Sequence, residues 1–247
     1  MNDPRAVIFA GPSLPPALRP ADPALEWRPP VRQGEFYAAA VSRPAIIGIA
    51  DGYFEVTPTV WHKEILWAMA QGIHVYGSAS IGALRAAELY PFGMRGVGRI
   101  FAAYRDGILS DDDEVAILHG PEELGYPAVT EAMVNIRATL ERAVAACVLD
   151  GWLVARLTDI GKALFYKERT WDAIFRFATG RGLPPMPLGD LAAWLQRGRV
   201  DQKAADALEM IAAIRAHLTA GVTPLTVSYL FQNTGYHKVA TQPSIGS

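Results

Sequence analysis

Three short apolar runs punctuate the first half of the chain: residues 6–10 (AVIFA), 45–50 (AIIGIA) and 73–76 (IHVY), each closed by Gly or Asp-Gly. Runs this short and this uniformly apolar are what strands buried on both faces require. Between the second and third lies 60–71 (VWHKEILWAMAQ), with Pro58 and Thr59 before it and Gly72 after it, the punctuation of a helix. A second helix is expected over 81–89. Strand, helix, strand, helix implies right-handed crossovers and a parallel sheet. From Pro12 to Pro30 the chain carries seven of its 18 prolines, so an irregular loop or an extended surface strand is expected there. Beyond Pro127 helical periodicity takes over, at 130–147, 159–167, 171–179, 189–196 and 202–218, with Pro184, Pro185 and Pro187 breaking this part internally. The expected fold is α/β: a parallel-sheet core over 1–128 and a helical region over 129–247, whose tail frays from about residue 239.

Composition narrows the function. A chain of 247 residues that is 51% hydrophobic and 19% charged is long enough for a substantial core. The net charge of -2 and pI near 6.2 provide no basic face for nucleic acid. A single cysteine, Cys147, excludes an internal disulfide and a multi-cysteine zinc cluster, and suits a reducing compartment. The helical pattern around Cys147 reads as a buried, inert thiol. The absence of a signal-like start or a long apolar run leads to the expectation of a cytoplasmic protein without membrane contact.

In open parallel sheets chemistry collects outside the carboxyl ends of the strands. Three polar clusters fall there: Gly11-Pro12-Ser13, Asp51-Gly52-Tyr53-Phe54-Glu55, and Gly77-Ser78-Ala79-Ser80-Ile81-Gly82. The last is a loosened form of the G-x-S-x-G nucleophile turn, which exposes the Ser80 oxygen beside the backbone N–H groups of Ile81 and Gly82. Alternatively, Ser78 or Ser80 merely caps the helix. The histidines available as a base are His62, His74, His119, His217 and His237; helical periodicity puts His62 on the stripe packed against the sheet, with Ile65, Leu66 and Met69. Lys63 falls at the margin of that stripe, where burial of its stem favours the neutral amine needed for a Ser-Lys pair. The other reading of Lys63 is an exposed lysine or one paired with Glu64 or Asp51. Arg85 and Glu88 stand at i and i+3 and either bridge each other or leave Arg85 to hold an anionic group. Asp111-Asp112-Asp113-Glu114 lacks the ligand alternation and glycine of a calcium loop and reads as a solvated turn or docking face.

The stretches PPVRQGEFY, IGIADGYFE, VWHKEILWAMAQGIHVYGSASIGALRAAEL, PFGMRGVGRIFAAYRDG and DDDEVAILHGP, in this order between residues 29 and 121, resemble the core of TfuA-like proteins. The resemblance implies an accessory role beside a YcaO protein, which uses ATP to convert a backbone amide of a peptide or protein to a thioamide. It further implies hydrolysis of the C-terminal thiocarboxylate of a small ThiS-like sulfur carrier, with Ser80 as nucleophile and Lys63 as base, and help for YcaO in engaging its substrate. Ile81 and Gly82 would hold the oxyanion, Arg85 would offset the substrate's charge and Asp51 would orient Lys63 or Arg85. Ser78 is a second hydroxyl that complicates any test of Ser80. No metal and no cofactor is called for. Sulfide released beside YcaO would reach a high local concentration, which requires surfaces for two protein partners; the Pro-rich loop, Tyr53, Phe54 and the acidic run are the candidates. Two other readings stand beside this one: a non-catalytic adaptor between YcaO and its substrate, and a stand-alone serine esterase or amidase.

Overall fold

The computed structural model describes residues 6–53 and 57–232; Phe54, Glu55, His237 and the tail expected to fray from about 239 lie outside the described residues. Contacts divide the chain into two compact units, one from the residues up to 110 together with those from 204 on, the other from 111–203. The sequence expectation places a single boundary at 128/129.

The first unit is built on five parallel strands: β1 (Ala6–Phe9), β2 (Leu25–Arg28), β3 (Ile46–Ile49), β4 (His74–Gly77) and β5 (Arg95–Gly96), in the order β2-β1-β3-β4-β5. The three apolar runs are the three central strands, and every residue of β1, β3 and β4 is buried. Each Ile or Phe buried there contributes roughly 1.5–3 kcal/mol. The Pro-rich segment contributes β2 at the sheet's edge, with Pro23, Pro29 and Pro30 outside the ladder where their missing N–H costs nothing. The connecting helices are α1 (Glu35–Val41), α2 (His62–Ala70), α3 (Ile81–Leu89) and α4 (Arg99–Arg105). Phe36 of α1 stacks on Phe9 of β1, ring centroids 6.2 Å apart, covering one face of the sheet.

The second unit is helical, with α5 (Met133–Ala145), α6 (Gly151–Ala163), α7 (Trp171–Gly180) and α8 (Pro185–Gly198). Met133, Ile136, Leu140 and Ala143 of α5 form one stripe in its core, with Leu153, Leu157 and Ile160 of α6 and Ile174 and Ala178 of α7. The prolines expected to break this region mark the interruption between α7 and α8 and also start the latter: Pro184 precedes it, and Pro185 and Pro187 occupy its first turn, where no intrahelical N–H is needed. Helix α6 lies earlier than expected and stops at Ala163. The reason is Arg169, wholly buried, whose guanidinium donates to Gly161 O (2.9 Å) and Leu164 O (3.1 Å), taking up the carbonyls at the helix end.

The acidic run is solvated only in its first half: Asp111 and Asp112 are exposed, whereas Asp113 and Glu114 turn into the helical unit. Asp113 accepts from Arg169 Nη2 (2.7 Å) and from Lys162, while Glu114, 3% exposed, takes Arg137 through both its oxygens at 2.9 and 3.0 Å. Cys147 is exposed rather than buried, because α5 stops at Ala145 and Cys147 takes a left-handed backbone (φ 56°) that turns it out of the helical stripe. Among the described residues no group of three or more His, Cys, Asp or Glu could hold a metal ion. No described helix is long and apolar enough to cross a membrane.

The last helix, α9 (Gln202–Ala220), returns to the sheet from residue 204 on. Its Ala207, Met210, Ile211, Ile214 and Leu218 pack on Ala6, Ile8, Ile46 and Tyr76. Gly48 makes this approach possible: a Cβ there would stand 2.9 Å from both Ile214 Cδ1 and Ile8 Cδ1.

Candidate active site

At the carboxyl edge of the sheet the loops after β1, β3 and β4 meet, as expected of this topology. Asp51, 2% exposed, accepts from Gly11 N (2.8 Å), Ser13 N (2.9 Å) and Ser13 Oγ (2.6 Å). Its carboxylate is thus turned to the β1 loop, and neither Lys63 nor Arg85 is among these partners. The segment after β2 joins the same edge: Val31 donates to Asp51 O (2.9 Å), Tyr53 donates to Val31 O (3.2 Å), and Val31 bridges Gly52. A Cβ on Gly52 would stand 2.7 Å from Ile81 Cγ2, so the β3 loop lies directly against the first residue of α3.

The β4-to-α3 turn is closed by two glycines. Side chains on Gly77 and Gly82 would collide with Gly82 O and Ile49 O respectively, so only hydrogen fits at either position. Between them Ala79 adopts φ 65°, a left-handed conformation that costs a non-glycine residue on the order of 1 kcal/mol or more. Ser80 N donates to Ser78 O (2.8 Å) and Ala50 O (3.2 Å). The two hydroxyls part here. Ser78 is fully buried and donates to Asp206 O of α9 (3.2 Å). Ser80 stands half-buried at the N-cap of α3, yet its side chain makes no capping bond and no hydrogen bond to any described residue, Lys63 included. Of the two amides expected to hold an oxyanion, Gly82 N points at Ala50 O at 3.4 Å, whereas Ile81 N has no acceptor among the described residues.

Helix α2 is rotated from the expected stripe. Glu64, Ile65, Ala68 and Met69 are its buried residues; His62 and Lys63 are exposed, so neither packs against the sheet. The cause is Glu64, whose carboxylate accepts from Gly34 N (2.9 Å), Tyr37 N (3.2 Å) and Trp61 N (3.2 Å) and fastens α2 to the start of α1. Burial holds its carboxyl above the ordinary carboxylate range despite those three donors. An acid inside an apolar stripe was the available sequence signal, and periodicity alone discounts it.

The entry to α2 is clasped to α3. Arg85, only 12% exposed in its side chain, donates through Nε to Val60 O (3.1 Å) and through Nη1 to Glu88 Oε2 (2.8 Å). The same Glu88 oxygen takes His62 Nε2 at 2.7 Å. Burial works against the Glu88 charge, but His62 and Arg85 outweigh it and hold its carboxyl below the ordinary range. Of the two readings of the Arg85–Glu88 spacing, the bridge forms, and the Nε of Arg85 goes to backbone. Lys63 follows directly on His62 in the first turn of α2.

The other histidines stand elsewhere. His74 opens β4, at the opposite end from Ser80, with Nε2 on Thr223 O (2.8 Å). His217 Nδ1 accepts a hydrogen bond from the Tyr76 hydroxyl (2.9 Å), and burial, with Arg95 and His74 beside it, lowers its pKa in keeping with a neutral acceptor. His119 belongs to the helical unit.

Residues 51–170 match the family model described as TfuA-like protein, a segment that contains Lys63, Ser80 and Arg85. A search of curated proteins gave no match to the chain.

Proposed function

With residues 51–170 TfuA-like, we propose that the protein serves YcaO-dependent thioamidation by hydrolysing the C-terminal thiocarboxylate of a small ThiS-like sulfur carrier and releasing sulfide for the YcaO protein. Ser80 Oγ attacks the thiocarboxylate carbon as Lys63 Nζ takes the hydroxyl proton. The new C–O bond forms, the C–S bond breaks, and the proton leaves with the sulfur as hydrosulfide. Water, deprotonated by the same amine, then cleaves the acyl-serine to a carboxylate and returns a proton to Oγ. The sum is thiocarboxylate plus water to carboxylate, hydrosulfide and a proton. The N–H of Ile81, at the positive end of α3, is aimed to stabilise the oxyanion of each tetrahedral stage.

One observation carries this reading: a half-buried serine at a helix start whose hydroxyl makes no hydrogen bond to a described residue. The clasp of Arg85 and Glu88 on the residues just before Lys63 supports Lys63 as the partner base. The test mixes the protein with thiocarboxylated carrier and follows replacement of the terminal sulfur by oxygen through intact mass. Ser80→Ala should slow the conversion by about 10³-fold or more, and Lys63→Ala by about 10²-fold or more. A Ser80→Ala protein that converts carrier at the wild-type rate ends the hydrolase reading in favour of an adaptor. Hydrolysis of simple activated esters with no conversion of carrier would favour the stand-alone esterase.

A further inference from the structure

The substrate of this reaction is itself an anion, and a serine oxygen approaching it meets like charge unless a cation stands nearby. Arg85 already shares its charge with Glu88, its Nε and Nη1 being bonded to Val60 O and Glu88. Arg19 is likewise occupied, with Leu14 O and Ala10 O. Arg32 differs. Its backbone is fixed from two sides, by the Val31–Gly52 bridge and by Glu35 Oε2 accepting from Arg32 N (3.0 Å). Its exposed guanidinium lies over the Tyr53 ring, 4.3 Å from the centroid, and donates a hydrogen bond to no described residue. Stacking uses the face of a guanidinium and leaves its edge, with the N–H donors, open to a planar anion. The stack borders the site: Gly52, which precedes Tyr53, packs on Ile81 of α3.

We propose that Arg32, pre-oriented by Tyr53, is the specificity-determining residue that recognises the anionic C-terminus of the carrier and offsets its charge beside Ser80. This rests on the hydrolase reading for the identity of the ligand, but selection of a terminal anion is a binding property that can be measured without turnover. A carboxylate and a thiocarboxylate share the planar, singly charged group that an arginine edge grips in two places. A carboxamide of the same shape lacks the charge and is discriminated against.

The experiment uses the full chain carrying Ser80→Ala and a fluorescently labelled ThiS-like carrier ending either in a carboxylate or in a carboxamide, with affinity read by anisotropy. The carboxylate form should bind about fivefold more tightly, the size of one solvent-accessible charge pair. Adding Arg32→Gln should erase the preference while leaving the affinity for the carboxamide unchanged. Tyr53→Leu, which keeps the cation but removes the ring beneath it, should reduce the preference partway, and Arg32→Lys likewise. A preference that survives Arg32→Gln, or its absence in the parent, overturns the proposal. Because no arm depends on catalysis, a carrier whose thiocarboxylate the wild type leaves intact refutes the hydrolase reading and leaves this result standing on its own.

Discussion

Glu88→Gln is the most direct perturbation of the clasp next to Lys63, the proposed base. It keeps the side chain's shape and removes the charge to which both His62 and Arg85 are bound, at 2.7 and 2.8 Å. Glu88 is 44% exposed in its side chain, so solvent screens both pairs and each contributes only about 0.2–1 kcal/mol. Together they amount to about 1 kcal/mol, which in a domain of this size lowers Tm by about 2–4 °C. The effect on turnover is larger than that loss suggests, because a catalytic group displaced by about 1 Å can cost up to 10²-fold. A fall in kcat of about tenfold for carrier conversion, with KM little changed, is expected. The pH dependence follows from the same contacts. Since the folded pKa of Glu88 lies below its unfolded value, the clasp's contribution is complete above about pH 4.3 and is lost as pH falls through the lower folded value. Glu88→Gln should lack that acid limb in urea-unfolding free energies measured across pH. A variant with the lowered Tm but the wild-type kcat would mean that the clasp merely stabilises the fold and that Lys63 needs no such orientation.

Two further outcomes distinguish local roles. Ser78→Ala removes the bond to Asp206 O and should cost about 1 kcal/mol in urea unfolding, while carrier conversion stays within about threefold of wild type; a loss as deep as that of Ser80→Ala would transfer the nucleophile's role. In the helical unit, burial opposes the charge of Lys162, but Asp113, Asp111 and Glu114 overcome it and raise its pKa, while Lys162 and Arg169 overcome burial at Asp113 and lower its pKa. The raised lysine stabilises below its ordinary pKa of about 10.4 and loses that contribution as pH rises through the folded value; the depressed aspartate stabilises above about 3.9 and loses it on acidification. Lys162→Met should therefore make both the alkaline and the acid decline in unfolding free energy shallower, and an unchanged pH profile would refute the network's role.

What could be read from the chain follows the distance over which each element is specified. Helix α3 runs over the expected residues 81–89 because its stripe and the small-residue turn before it are local. Helix α4 escaped notice: its start is Gly98, and the acceptor for Ile100 N is Asp206, 106 residues away on α9. The pairing of Asp113 and Glu114 is hidden from a local reading because their partners Arg137, Lys162 and Arg169 lie 23 to 56 residues further on. On α2 the error had a different origin. Periodicity weighs apolar positions, and the position that sets the helix's rotation is the buried carboxylate of Glu64, held by backbone N–H groups of α1 that no local pattern reveals.

The separation of Ser78 from Ser80 shows how a backbone dihedral can assign chemistry that residue type leaves open. In extended chain, residues two apart share a face, which would send both hydroxyls to the same side. The left-handed Ala79 between them breaks that alternation. Ser78 is thereby directed inward, onto the backbone of α9, and Ser80 outward, to the edge where the β3 loop and the start of α3 meet. The strain at Ala79 can persist because its neighbours overdetermine the turn: Gly77 and Gly82 pack backbone to backbone, Ser80 N is held by Ala50 O, and Ser78 Oγ is held by Asp206 O. One of those restraints comes from α9, outside the segment that matches the TfuA-like model, so the helix that closes the sheet also helps fix which hydroxyl is buried and which stands at the edge.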